Sequence, residues 1–423
     1  MSTAAVVVRE VVGSLQRKHS AHVANLLALS FDKSGADSPF MDNNRAIETA
    51  CRTFCVGLVG AYHEIVAAIL NAKRLVGEGK FSVAYEEYIS GFMWDDLLLP
   101  LCLVLTCECF SKFLEVFREE SSWLVPWLHV FVYDARKLAM HADAEASKKR
   151  DGEVHDNVKN AEQHLKRAFS MTVNDRAPVE LSKRPGTLYI VNQLFKIYFH
   201  LNAINLCRNL IRAVELQSFD QFDKRDQVTY KYYLGRIFMF QDQYHQAESS
   251  LSYAWRHCHK KYSHNKRRIL QFLVPVKLIL GVMPSAQLIE TYNLTEFQGI
   301  SKALQQGNIR EFNQVCRYQD QFVQQGVYLL MEKLRAIVMR NLLKKVYVIR
   351  TKKNQLKLVD FQTAVDFADS AELDMDALES LVANLIFKGY VKGYISHKLK
   401  ILVLSKSNPF PPITDVLQDP TAA

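Results

Sequence analysis

The sequence predicts a mainly all-α protein, a solenoid of stacked helical hairpins closed by a winged-helix domain with a short β-hairpin. Three observations carry this reading. Apolar residues recur at three- and four-residue intervals along most of the chain, with nothing resembling a strand meander. Paired helical segments become regular from Thr187 onward. After Gly389 the helical period gives way to the β-branched run Ile401–Leu404.

In chain order, residues 1–142 read as an amino-terminal helical region. Val6 to Leu29 is helical in pattern, and Phe31 to Pro39 breaks it. Ala46 to Arg74 is a helix or two, Gly77-Glu-Gly79 a turn, and Phe81 to Phe92, Val104 to Phe117 and Trp127 to Ala142 are further helices. The apolar run Leu97–Cys107 contains Pro100 and is too short to span a bilayer, so a buried helix is expected and no membrane insertion. The amino terminus lacks a basic region before its apolar run, which argues against a signal peptide. Residues 143–186 form a charged loop to Val154, a helix to Met171, and a connector marked by Pro178, Pro185 and Gly186.

Residues 187–325 carry the hairpins. Leu234-Gly235, Ala247, Leu251 and Ala254 stand at the offsets at which two antiparallel helices of a tetratricopeptide repeat pack closely. Leu194–Ala213 and Phe297–Gln319 are looser versions, the latter turning at Gln305–Asn308. Such arrays offer contact surfaces rather than active-site pockets.

Residues 326–406 read as the winged helix, with 407–423 a proline-containing tail. A long helix from Gly326 to about Arg350 has Leu329, Leu330, Leu334, Ile337, Val338 and Leu342 at helical spacing. Phe361–Ala368 is a short second helix with Ala364, Val365 and Ala368 inward. The third opens at Leu373-Asp-Met-Asp-Ala and closes at Gly389, where glycine takes the left-handed conformation at no steric cost. Ser396–Lys400 is the turn of the wing.

The chain has 423 residues, 49% hydrophobic and 23% charged, an ordinary soluble composition with room for two or three domains. A net charge of +9 suggests a basic face for nucleic acid or for an acidic protein. The eight cysteines lack disulfide-framework or zinc-knuckle spacing and read as reduced and buried.

The helix–hairpin ending, with Leu385-Ile-Phe-Lys-Gly-Tyr-Val-Lys-Gly-Tyr-Ile395, resembles the PCI domain, a helical-repeat array capped by a winged helix. Val191–Phe199, Val228–Arg236, Leu273–Gly281, Asn341–Tyr347, Val391–His397 and Asn408–Pro412 look like the Thp/Csn-twelve branch of that family. The resemblance runs from about Thr187 to Pro412 and is much weaker before Asp143.

Enzymatic signatures are missing. His257-Cys-His259 lacks the later Asp of a metalloprotease site, since that position is Leu270. Gly77-Glu-Gly-Lys80 fails as a phosphate loop because the earlier glycine is Arg74, and no nucleophile elbow or zincin motif occurs. The expectation is no enzyme, no catalytic residue, no metal and no cofactor.

Two basic groups lie around the winged helix. Lys344, Lys345, Arg350, Lys352, Lys353 and Lys357 contain no intervening acid and lie at the end of the long helix and in the loop beyond it, and Lys388, Lys392, Lys398 and Lys400 surround the end of the third helix and the wing. They read either as a backbone-binding surface for RNA or DNA or as a solvated face, with Lys344 and Lys345 suiting a helix C-terminus. A third cluster, Lys260, Lys261, Lys266, Arg267 and Arg268, is a solvated loop or a contact with nucleic acid or an acidic chain. Tyr230, Tyr232 and Tyr233 read as solenoid core rather than a stacking platform.

The resemblance implies a non-enzymatic nuclear scaffold subunit coupling transcription to messenger-RNA export at the nuclear pore. It implies a Sac/GANP-type scaffold and a small acidic Sem/Dss-type protein as partners, pore components as indirect ones, and nucleic acid on the basic winged helix. PCI winged helices associate with one another, so Val391, Tyr394, Ile395, Ile401 and Val403 become partner-contact candidates beside their reading as wing core. The rival is a protein-only subunit of a signalosome or proteasome-lid type assembly.

Overall fold

The computed structural model describes residues 3–29, 31, 44–55, 58, 61–90, 109–149, 154–316, 319–368 and 374–416. The chain divides into two compact units, 1–230 and 231–423.

Unit 1 contains, among the described residues, α1 (Thr3–Gln16), α2 (Ser20–Leu27), α3 (Asn44–Phe54), α4 (Tyr62–Gly77), α5 (Phe81–Ser90), α6 (Cys109–Glu119), α7 (Val125–Lys149), α8 (Asp156–Val173), α9 (Thr187–His200) and α10 (Cys207–Glu215). Its core is aromatic: Phe113 stacks on Phe131 at 4.4 Å, and Trp127, Phe110 and Tyr88 close around the pair. The expected continuous helix over 6–29 is two helices, because Lys18 adopts a left-handed φ of 55° between them. The apolar run 97–107 and most of the 31–39 break lie outside the described residues.

The charged loop expected from Asp143 is instead the end of α7, which continues to Lys149. Asp143 is buried there and accepts from the backbone N–H groups of Asn157 and Val158 at 3.1 and 3.0 Å, capping α8 from the preceding helix. A charged side chain counted as a loop marker is thus a cap for orphan helix donors.

The helix α11 (Lys224–Phe240) carries the chain from unit 1 into unit 2. Unit 2 continues with α12 (Tyr244–His257), α13 (Ser263–Ile279), α14 (Ala286–Thr291), α15 (Glu296–Gln306), α16 (Ile309–Cys316), α17 (Gln319–Gln325), α18 (Tyr328–Ile349), β1 (Gln355–Lys357), α19 (Leu358–Ala368), α20 (Met375–Phe387), β2 (Gly393–Ser396), β3 (Ile401–Leu404) and α21 (Ile413–Val416). The close approach expected at Gly235 is present. A Cβ there would meet Leu251 Cγ at 2.6 Å, and Ala247 and Ala254 are fully buried. Gly307 ends α15 at φ +59°, and a Cβ on it would lie 2.6 Å from the backbone N of Leu342 in α18. Only glycine lets α18 settle there.

The three strands form an antiparallel sheet in the order β1-β3-β2. The sequence reading missed β1 and placed Lys357 in a loop; Lys357 in fact pairs with Ile401. The second winged-helix helix starts three residues early, at Leu358. Its inward residues are Leu358, Phe361 and Val365, while Ala364 and Ala368 are only half-buried. Leu329, expected on the core face of α18, is 72% exposed. Gly389 closes α20 at φ +73°, and Asp374 caps its start, accepting from the N–H of Met375 at 2.7 Å.

The segment after the wing packs back on the unit. Buried Arg340 donates to the carbonyls of Phe410 and Pro411 at 3.3 and 2.6 Å, and Phe410 lies beside Tyr347 at 5.5 Å. Ile413 meets Gly281. Proline-rich and strand-poor, this stretch reads as a tail because one buried arginine, not periodicity, holds it.

Candidate nucleic-acid interface

Side chains on a strand alternate between faces. The register sets Leu356, Leu402 and Ile395 on the inner face of the sheet. Its outer face carries Tyr394, Val403 and Gln355 in one row and Ser396, Ile401 and Lys357 in the next. Tyr394 is 64% exposed, and Ile401 and Val403 are half-buried. Of the five partner-contact candidates, these three therefore share one outward strip. Ile395 is turned inward because it is the strand neighbour of Tyr394, and Val391, at 1% exposure, is wing core.

The same register places the lysines. Lys352 and Lys353 precede β1 at the end of the sheet where Gln355 pairs with Val403 and Gly393 with Leu404, which is also the end Lys392 leads into. Lys357 stands at the other end, with Lys398 in the adjoining wing turn. Three residues of strand separate the two ends, roughly 10 Å. Lys344 and Lys345 lie on the last turns of α18, bordering a shallow depression with Gln305, Asn341, Val348 and Ile349. Lys388 follows α20, next to the exposed Phe387.

Exposure alone does not make these cations available. Arg350 is ion-paired with Asp360. Lys400 bonds to Glu379 at 2.7 Å and Asp376 at 3.2 Å, and His397 contacts Glu379 at 2.8 Å. The wing turn is thereby latched to α20. The hydrogen bond from Lys400, then that from His397, holds the Glu379 carboxyl below its ordinary range, and the bond to Glu379, with that to Asp376, raises Lys400. Among the described residues, Lys344, Lys345, Lys352, Lys353, Lys357, Lys388, Lys392 and Lys398 are exposed and have no carboxylate partner. Two of the ten expected cations are thus neutralised within the fold. The sequence signal was present in Asp376 and Glu379, three apart on one helix and so on one face.

No group of three or more possible metal ligands occurs among the described residues. His257 stacks on Tyr253 at 4.0 Å, and Leu270, at the position where the Asp would be needed, is buried. The free cysteines Cys51, Cys55, Cys109, Cys207 and Cys258 are buried, and burial pushes Cys51 up to about 12 and Cys55 to about 11, away from the reactive thiolate. Tyr230 is buried, stacked on Phe195 at 5.7 Å. No described helix is long and apolar enough to cross a membrane.

Helical hairpins ending in three helices and a β1-β3-β2 sheet define a helical-repeat protein with a winged-helix cap, the architecture of a PCI module. A PCI domain model matches residues 315–406, and a model of PSMD3-like, N-terminal TPR repeats matches residues 169–297. PCI domain-containing protein 2 of Xenopus laevis is 40% identical over 358 residues, 84% of this chain and 86% of the relative. The Danio rerio protein of that name is 37% identical over 359 residues with the same coverage, and the Drosophila melanogaster homolog 40% over 311 residues, 73% of this chain and 78% of its own. The chain belongs to the PCI domain-containing protein 2 family, and as a PCI protein it is a scaffold subunit of a complex.

Proposed function

We propose that this chain is a non-enzymatic nuclear subunit that couples transcription to messenger-RNA export at the pore and holds nucleic acid on its winged helix. The observation that carries the nucleic-acid part is the set of unpaired lysines Lys344, Lys345, Lys352, Lys353 and Lys357, contiguous in chain with no neutralising carboxylate. Lysines are point charges, so they suit phosphate backbone and supply little base reading. The outward strip of Tyr394, Val403 and Ile401 is the proposed contact for a partner's winged helix, in keeping with a Sac/GANP-type scaffold. A small acidic Sem/Dss-type protein and, indirectly, pore components complete the proposed assembly.

The second reading, a protein-only subunit of signalosome or proteasome-lid type, is favoured by the ion pairs that already satisfy Lys400 in the wing and Arg350 at the end of α18. A pull-down of the tagged full-length chain from nuclear extract, with and without nuclease, separates the two. Nuclease-resistant recovery of a Sac/GANP-like scaffold, the acidic subunit and pore components is expected. Recovery of signalosome or lid subunits alone would replace the export reading with the second.

A further inference from the structure

The tip of the α12–α13 hairpin is a basic surface that the winged-helix reading leaves unused. From Ser249 to Ile289 the chain holds seven Lys and Arg, three His and no Asp or Glu. Two of those cations are tied nearby: Arg267 pairs with Glu296 at 3.7 Å and Lys277 with Glu248 at 3.5 Å. A third, Lys266, is buried, donating to the Trp255 carbonyl at 3.1 Å with its ammonium over the Trp255 ring. The remaining four, Arg256, Lys260, Lys261 and Arg268, are exposed and have no carboxylate partner among the described residues.

Aromatic rings stand among these cations. Tyr262 is 56% exposed and meets the exposed His259 edge to face at 6.0 Å. The backbone N–H of Lys261 donates to His259 Nδ1 at 3.1 Å, fixing the ring across the turn. Between Tyr244 and Leu270, Tyr262 is the one large apolar side chain that is exposed. A protein partner anchors through buried apolar or aromatic side chains entering pockets. Unpaired cations around an exposed ring fit a phosphate backbone whose bases stack.

We infer that this hairpin tip is a second contact site for single-stranded RNA, with Arg256, Lys260, Lys261 and Arg268 on phosphates and Tyr262 stacking on a base. The inference rests on the reading that the chain binds nucleic acid and adds a site outside the winged helix. Its electrostatic share shows as salt dependence, about 0.7 in the log–log slope per phosphate neutralised on a single strand.

The test is fluorescence anisotropy of the full chain on a labelled single-stranded RNA across a salt series. The variants are Arg256→Gln/Lys260→Gln/Lys261→Gln/Arg268→Gln, Tyr262→Ala, and Lys344→Glu/Lys345→Glu/Lys352→Glu/Lys353→Glu, with circular dichroism confirming helicity. The expected result is a slope reduced by about 2–3 in the hairpin variant. Tyr262→Ala should weaken binding roughly tenfold without changing the slope. An unchanged hairpin variant beside a non-binding winged-helix variant overturns this site and leaves the winged-helix reading intact. The reverse pattern keeps this site and removes that reading. Binding of oligoglutamate but not RNA, lost in the hairpin variant, also overturns it and marks a contact for an acidic chain.

Discussion

The two ends of the winged helix carry the same kind of sequence signal and meet different fates. At the α18–β1 end, Lys344, Lys345, Lys352 and Lys353 stay unpaired, and only Arg350 between them is taken by a carboxylate, that of Asp360. At the wing end, Lys400 and His397 are held by Asp376 and Glu379 of α20. A run of lysines states how much positive charge a segment carries; the carboxylates that the fold brings opposite decide how much is left for a ligand. The free end is therefore the proposed phosphate surface, and the wing end is fixed in shape by its own ion pairs.

The largest expected effect tests that contrast directly. Reversing Lys344, Lys345, Lys352 and Lys353 to Glu should weaken RNA binding at least about a hundredfold and flatten its salt dependence, each lost phosphate contact removing about 0.7 from the slope. The matched reversal of Lys398 and Lys400 should cost no more than roughly threefold, since Lys400 is already engaged. Equal losses in anisotropy titrations would erase the distinction between the ends.

Two glycines allow the α18 surface and the sheet to be disturbed separately. Gly307→Ala places a methyl 2.6 Å from Leu342 N at a left-handed φ, just ahead of Lys344. Gly393→Ala places one 2.3 Å from the Val403 carbonyl oxygen within the sheet. Both should lower stability to chemical denaturation by on the order of 2–3 kcal/mol. At temperatures where both remain folded, Gly307→Ala is expected to weaken RNA binding and Gly393→Ala to leave it within about twofold. The converse would move the interface from α18 to the sheet.

A smaller effect of opposite sign comes from Glu379→Gln. Removing that carboxylate frees His397 and leaves Lys400 only the exposed Asp376, so RNA affinity should rise, by roughly twofold to threefold. A drop would mean that the latched shape, not the free charge, matters at the wing.

The smallest expected effect is in pH. The folded Glu379 carboxyl is held below its ordinary value of 4.5, first by the bond from Lys400. Its contribution is therefore complete above that ordinary value and fades only as pH falls through the lower folded one. Amide exchange of the wing, corrected for its intrinsic pH dependence, should show constant protection from pH 7 down to about 5 and weaken below the ordinary glutamate range. Loss of protection already between pH 7 and 5 would show that Glu379 does not hold the wing.

Much of this architecture was legible in the chain because it rests on local chemistry. The 3.6-residue period sets Leu330, Leu334, Ile337 and Val338 inside α18, and all are buried. Gly389 and Gly307 mark helix ends because only a residue without a Cβ takes those φ angles freely. The basic runs, the missing enzyme motifs and the PCI-like ending are likewise properties of residue order.

What the chain alone did not reveal depends on partners distant in sequence. A three-residue strand such as β1 has no period to detect and exists only because β3, more than forty residues later, supplies its ladder. Asp143 became a helix cap rather than a loop residue because α8 folds back onto it, and Arg340 pins a proline-rich segment seventy residues away through two carbonyls. Residue order set the number of charges and the faces of the helices. Tertiary structure decided which cations remain free, because an ion pair needs its two groups within a few ångströms and only folding brings them there.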